Sequence, residues 1–277
     1  MTPTPLIQRL TADLPITAGS FIVTVYGDVV VPRGEVLWIG SLIAICARIG
    51  ISENLVRTAV SRLVAAGRLE GERVGRRSFY RLAPAARAEF ADAARLLYAR
   101  PQPSGDWLVM LDPDMPEDLA RRHRMARIGG DLWICPARGG SPAIGGLALR
   151  AVPVAGLDQL PRLAAFWDLA ALARGYRTVL DRFGPLAEGP ALSPADALIA
   201  RLLLVHLYRG VLLRDPGLPP GALPPDWPGT DAQALFRNLY TALTPLAEPH
   251  VARVMEGENG PLPEATPRTE ARLKALA

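Results

Sequence analysis

The 277-residue sequence predicts an α+β protein. Three observations lead there. Residues 38–82 carry two short amphipathic helix patterns joined by a glycine and followed by a hairpin pattern. Residues 105–153 alternate short apolar runs with one basic helix pattern, and from residue 156 onward apolar residues recur at i, i+3, i+4 and i+7. The expected organisation is three consecutive regions, 20–100, 105–153 and 156–255.

Composition narrows the class. With 49% hydrophobic and 21% charged residues the chain can bury a full core. Net charge is +4, and it is unevenly placed: residues 1–100 hold 13 Arg against 8 acidic residues, and residues 48–81 hold 8 Arg against 3 Glu. A compact basic patch therefore carries the excess. Two cysteines, Cys46 and Cys135, exclude a disulfide framework and fit a reducing cytoplasm. The start MTPTPLIQRL lacks the pattern of a signal peptide, and the most apolar stretch, Ala197–Leu213, is interrupted by Arg201, His206 and Arg209, so no membrane partner is expected.

Element by element, residues 1–19 read as a loose arm, and Ser20–Val31 has the β-branched and aromatic content of a strand. Trp38–Ile49 places Ile39, Leu42, Ile43 and Cys46 on one helical face, and Gly50 supplies a tight turn. The next helix runs from an N-cap at Ser52 to a stop at Gly67, burying Val56, Ala59, Val60 and Leu63. Leu69–Val74 and Ser78–Leu82 read as strands around Gly75-Arg76-Arg77, and residues 84–99 as a helix with Ala86, Phe90, Ala93 and Leu97 inward. A linker is expected at Pro101–Gly105. Strands follow at Trp107–Leu111 and Leu132–Cys135, flanking a helix over Pro116–Ile128, which together suggest a ferredoxin-like α+β module. One long helix is expected to carry Leu163 through Phe183, a second to run from Ser193-Pro194 to about Leu213, and a third to span Thr230–Leu243. Residues 216–228, with six prolines, form a rigid connection, and 256–268 read as mobile.

The chemistry-bearing residues concentrate in 48–82. At about 100° per residue, Asn54, Arg57, Thr58, Ser61 and Arg62 share the arc opposite the buried face of their helix. Arginine reads guanine, asparagine reads adenine, and Ser or Thr bonds phosphate or offers a methyl to thymine. An isolated helix with this face would more often be merely solvated. The preceding helix and the basic hairpin change that balance, because helix, turn, helix and arginine-tipped hairpin form the pattern of a winged helix-turn-helix. The expected duplex-contacting set is Ser52, Asn54, Arg57, Thr58, Ser61, Arg62, Arg73, Arg76, Arg77 and Tyr80, with Arg57, Thr58 and Ser61 on bases and Arg62, Arg76 and Arg77 on phosphates.

The whole chain resembles the PaaX-like regulators of phenylacetic acid catabolism. The residues that carry the resemblance are Gly27-Asp28 with Pro32-Arg33-Gly34, the helix Ser52–Gly67, the hairpin Arg73–Leu82, and the run Leu212–Pro216 through Leu223–Gly229. The resemblance implies a homodimeric repressor of palindromic operator DNA. It also implies an N-terminal winged helix-turn-helix, a middle ferredoxin-like module and a C-terminal helical domain, with release by an aryl-CoA thioester such as phenylacetyl-CoA. It further implies that Ser20–Val31 is a helix, against its propensity. Two positions depart from the family pattern: Ile128-Gly129-Gly130 lacks an aromatic between glycines, and Leu207 stands where Glu is usual.

A CoA thioester needs cations for its phosphates and an apolar pocket for its acyl group. Arg201, His206, Arg209 and Arg214 recur along one helix and are the candidate effector residues; the plainer alternative is that Arg214 pairs with Asp215 or caps the helix and the others are solvated. The rival class is a metal-dependent nuclease built on the middle module, with Asp112 and Asp114 after its first strand, although Asp112-Pro113-Asp114 also reads as a turn before a helix cap. His123, His206 and His250 have no ligand spacing, and no nucleotide or hydrolase motif is present, so no cofactor, metal or catalytic residue is expected. A sequence-indifferent architectural or RNA-binding protein is a third possibility, separable by specificity.

Overall fold

The computed structural model describes residues 3–99, 105–137, 146–189 and 191–276. They fall into two compact units, one of Met1–Ala99, Thr178–Arg209 and Asp231–Ala277, the other of Arg100–Arg177 and Gly210–Thr230. This differs from three consecutive regions, because most of the C-terminal helical residues join the first 99 residues in a single unit. The expected linker lies outside the described residues except for Gly105.

In the first unit, residues 1–19 are not a loose arm. They include helix α1 (Pro5–Thr11), capped at Thr4 and anchored by buried Ile7 and Leu10. Helix α2 (Ala18–Val25) continues through a wide π turn at Tyr26–Val30 and a 3-10 turn at Val31–Arg33 that ends at Gly34, φ 100°. The strand propensity of this segment is thus overridden. Thr17 caps the start, and Phe21, Ile22, Val25, Tyr26, Val29 and Val30 are all buried, as in a helix that is covered on most sides. Strand β1 (Val36–Trp38) leads into α3 (Ile39–Ala47) and α4 (Glu53–Ala65). Strands β2 (Leu69–Val74) and β3 (Arg77–Leu82) complete an antiparallel sheet of order β1-β3-β2, in which Trp38 faces Phe79 and Val74 faces Arg77. Helix α5 (Arg87–Tyr98) follows, inserting Leu97 and Tyr98.

The second unit begins with β4 (Trp107–Leu111), α6 (Glu117–Arg122), β5 (Ala126–Gly129), β6 (Leu132–Pro136) and β7 (Leu147–Ala151). The four strands are antiparallel in the order β5-β6-β4-β7, around a core of Leu108, Met110, Met115, Ala120, Met125 and Cys135. The helix expected over Pro116–Ile128 stops at Arg122, because Arg124 takes a left-handed φ of 56° and residues 126–129 pair with β6. The long helix expected from Leu163 is also divided, into α7 (Pro161–Ala164) and α8 (Leu169–Phe183). Asp168 restarts it by accepting from the Ala171 amide at 2.9 Å, and the Trp167 indole donates to the Arg124 carbonyl at 3.0 Å. Tyr176 donates to Asp215 at 2.6 Å and meets Trp227 edge-on, which fastens the proline-rich connection.

Helix α9 (Pro194–Leu212) starts at a reciprocal cap between Ser193 and Asp196. Helix α10 (Gly229–Val254) runs past its expected end at Leu243, through Pro245 and Pro249. Each proline removes an intrahelical bond, but Ala247, His250 and Val251 are buried and hold the helix on course. Residues 256–268, expected to be mobile, form a hairpin of β8 (Glu256–Gly257) and β9 (Gly260–Pro261) and the start of α11 (Pro267–Leu276). No helix among the described residues is long and apolar enough to cross a membrane.

Inside the first unit lies an ion cluster. Asp28, on the π turn, has a side chain that is 0% exposed, and Arg201 of α9 is 1% exposed. Arg201 donates to Asp28 at 3.1 Å and to Glu248 of α10 at 2.7 Å, while Tyr98 and Tyr240 donate to the other Asp28 oxygen at 2.9 and 2.8 Å. Arg33 pairs with Glu248, and Arg272 of α11 donates to the Asp28 and Gly27 carbonyls at 2.8 and 3.0 Å. Burial alone would raise the Asp28 pKa, but Arg201, Arg272 and the two phenols hold it below its ordinary value of 3.8.

Asp28→Asn leaves Arg201 with half its partners in a water-free site and is expected to cost about 3–5 kcal/mol in denaturant unfolding. A second effect concerns His206, which shares a 2.9 Å hydrogen bond with Thr24. Burial, with help from Arg209, pushes its pKa down from 6.5 to about 4. The folded state therefore resists a proton that the unfolded state accepts, so stability is full above pH 6.5 and falls as pH drops toward 4. Unfolding curves across that window should show the loss in the native chain and a much flatter response in His206→Gln.

Candidate nucleic-acid interface

The turn between α3 and α4 is tight because Gly50 adopts φ 83°, and the amides of Ile49 and Ile51 both bond the Cys46 carbonyl at 3.1 Å. Buried Ile51 pins the turn. Helix α3 buries Ile39, Leu42 and Cys46 as expected, with Ile45 inward in place of Ile43, which is half-buried. Ser52 occupies the N-cap position of α4, but its hydroxyl makes no capping bond. Helix α4 ends before Gly67, φ 64°.

Helix α4 buries Val56, Ala59 and Val60, with Leu63 half-buried, and turns its other face outward. Asn54, Arg57, Thr58, Ser61 and Arg62 are all exposed, together with Ser52. Arg57 pairs with Glu53 one turn earlier at 2.7 Å, an exposed contact that is easily exchanged. Leu55 is 57% exposed and lies next to Arg62 at the edge of the same arc, an apolar side chain off the buried stripe. Sequence reasoning passed over it, although an apolar residue off the buried stripe was the available signal.

The hairpin reverses at Gly75, φ 61°, and Arg76. Arg76 is exposed without an ion pair among the described residues, and Arg73 folds back to donate to the Gly75 carbonyl at 3.2 Å. Arg77 is 50% exposed but engaged, since its guanidinium lies 4.5 Å over the Trp38 ring and pairs with Glu256. Arg81, which the sequence reading did not select, pairs with Glu72 at 2.9 Å and with Glu258 at 3.3 Å. Tyr80 is half-buried. Its ring sits so close to Gly71 that an added Cβ would meet it at 2.9 Å, and its carbonyl accepts from Tyr26, so it is a strand-packing residue first.

Three of the four candidate effector residues, Arg201, His206 and Arg209, are engaged within the first unit. Arg201 is committed to Asp28 and Glu248 inside the ion cluster. His206 and Arg209 address α2, the first through Thr24 and the edge of Phe21, the second through the Ser20 carbonyl and Thr24 at 3.4 Å. Arg214 belongs to the other unit and donates to the Gly210 carbonyl at 2.9 Å. Helix periodicity placed these cations on one element but could not show that its neighbours absorb them. In the middle module, Asp112 accepts from the Asp114 amide at 3.0 Å, which is the turn reading of that pair. Among the described residues no three His, Cys, Asp or Glu side chains gather at one point.

A family profile described as PaaX-like protein matches residues 17–86, and one described as PaaX-like protein C-terminal domain matches residues 167–253. The chain is 31% identical over 286 positions to the protein named Transcriptional repressor PaaX of Escherichia coli K12, covering 93% of this chain and 90% of that one. Among solved structures it is similar to the uncharacterized protein Rv0674 from Mycobacterium tuberculosis, with a TM-score of 0.51 and 23% identity, covering 84% of this chain and 98% of that one. That structural likeness extends the shared fold over most of the chain. The chain belongs to the PaaX-like family.

Proposed function

We propose that this protein is a cytoplasmic transcriptional repressor of an aromatic-acid, phenylacetate-type catabolic operon. It binds a palindromic operator as a homodimer and is released by an aryl-CoA thioester such as phenylacetyl-CoA. The observation that carries the reading is the outward face of α4 beside an arginine-bearing hairpin. The name of the Escherichia coli relative supports the regulatory class, and with it the choice of regulator over enzyme.

In this reading α3, α4 and the β2–β3 hairpin are a winged helix-turn-helix. Residues 105–153 are a ferredoxin-like module, which the order β5-β6-β4-β7 and the α6 crossover support; a second crossover would fall on residues outside the described ones. Helix α4 enters a major groove, where Arg57, Thr58 and Ser61 meet base edges and Leu55 offers apolar contact to a thymine methyl. Asn54 suits adenine, and Ser52, Arg62, Arg73, Arg76 and Arg77 address phosphates. Tyr80 supports the wing from within. The effector pocket must draw on groups besides the buried Arg201, since a CoA phosphate cannot reach a guanidinium that is 1% exposed without dismantling the ion cluster.

The reading is tested on the duplex. With about 6–10 phosphate contacts per dimer, log K should fall against log salt with a slope of roughly −5 to −9, and Arg77→Ala should flatten it by about two. Arg57→Ala should weaken operator binding by about 5- to 150-fold more than random-duplex binding, as expected for a lost base contact worth about 1–3 kcal/mol. An unchanged slope removes the wing from the interface, and equal losses on both duplexes make Arg57 a phosphate contact. Gel shifts on the upstream region of its own gene neighbourhood, with phenylacetyl-CoA, phenylacetate or CoA added, should show release by the thioester alone.

A further inference from the structure

Two wing arginines are not offered to solvent as bare cations. Arg77 and Arg81 both lie on β3, two pleats apart on one face, and each meets a carboxylate from the β8–β9 hairpin at the far end of the chain. Glu256 pairs with Arg77, and Glu258 shares Arg81 at 3.3 Å with Glu72 of β2, which is nearer at 2.9 Å, so Arg77 is the cleaner of the two contacts. The hairpin that delivers them is fastened. Met255 and Leu262 are 0% and 3% exposed and bonded to each other by a 2.8 Å backbone hydrogen bond, and the Glu256 amide donates to Ser41 at 3.0 Å. The carboxylates themselves remain accessible, with side chains 35% and 42% exposed. Trp38 holds the Arg77 guanidinium from the other side, so the cation is kept in one place and not left to swing away.

A carboxylate and a phosphate compete for the same guanidinium fork. A duplex approaching this face must therefore either displace Glu256 and Glu258 or bring its phosphates against two like charges. We infer that the β8–β9 hairpin is an acidic guard on the wing, in which Glu256 and Glu258 occupy Arg77 and Arg81 as phosphate surrogates that duplex DNA has to displace. This rests on the wing contacting DNA, as proposed above. Its effect is to weaken the sequence-independent grip on any duplex while leaving the base-reading face of α4 untouched. The ordinary alternative is a pair of surface salt bridges with no bearing on DNA, and the two accounts differ in what neutralising the carboxylates does.

The test is a mutant cycle on the full-length chain, read by fluorescence anisotropy with a labelled random duplex. Exposed ion pairs are weak, so Glu256→Gln combined with Glu258→Gln should tighten binding by about three- to tenfold. Glu256→Gln alone should tighten binding clearly more in the native background than in an Arg77→Ala background, where only the general charge effect remains. Equal tightening with and without Arg77 would mean that only net charge matters, and would overturn the guard. If Arg77→Ala flattens the salt dependence but neutralising both glutamates leaves affinity unchanged, the guard fails and the wing reading survives. If Arg77→Ala leaves the salt dependence unchanged, the wing reading itself fails, and the guard with it. Glu256 is half-buried, Glu258 is exposed and Gln is isosteric, so unfolding curves should match the native chain; Glu258→Gln alone, against Arg81→Ala, should give the smaller change because Glu72 still holds Arg81.

Discussion

The carboxylate of Asp28 sits where water cannot reach it, in the middle of an apolar helical segment, and the rest of the first unit is arranged around keeping it ionised. An unpaired charge in such a place would cost many kcal/mol, so α2 can bury its apolar sides only when Arg201 arrives from α9. The dependence is mutual. Residues 197–205 of α9 are buried, so Arg201 has no route to solvent and needs Asp28 and Glu248 as much as they need it. Tyr98, Tyr240 and Arg272 use the remaining acceptor positions on and around Asp28, which ties α5, α10 and α11 into the same arrangement. Apolar faces tolerate sliding by a fraction of a turn, whereas charge-assisted hydrogen bonds between 2.7 and 3.1 Å do not.

This constraint explains why the helical residues near the C-terminus pack with the N-terminal third instead of standing as a separate domain. It also explains how the candidate DNA-facing surface is kept clear. Helix α4 is held by one stripe, Val56, Ala59 and Val60, and the buried cluster lies on other elements. The polar face of α4, Asn54, Arg57, Thr58, Ser61 and Arg62, stays exposed. The β2–β3 hairpin is different, because Arg77 and Arg81 are already partnered by carboxylates, though at exposures where exchange is easy.

Much of this was legible from residue patterns. The α3–α4 pair, its glycine turn, the hairpin around Gly75-Arg76 and the outward arc of α4 follow from local rules, since each depends on neighbours within a few positions. The strand-like look of Ser20–Val31 misled for the reason propensity scales usually do: β-branched residues prefer strands on a half-buried surface, and this segment is buried on most sides as a helix. The effector quartet misled for another reason. Periodicity puts Arg201, His206 and Arg209 along one helix, but whether a cation is available depends on what packs against it, and here all three bond groups on α2 or α10. A lone Asp within FIVTVYGDVVV was the available hint that a buried partner existed, though not which of 31 basic residues it was.

By itself the sequence determined the α+β class, the two helices and the hairpin in residues 38–82, and the position of the excess positive charge, because these are set by composition and by contacts a few residues long. Only the tertiary structure decided that Asp28 meets Arg201 across 173 positions, that helices after residue 178 complete the N-terminal unit, and that a hairpin near residue 258 meets the β2–β3 hairpin. Those pairings join charges whose separation along the chain carries no periodic trace. The buried pair exists because burying one ion requires its counter-ion, wherever the chain can supply it.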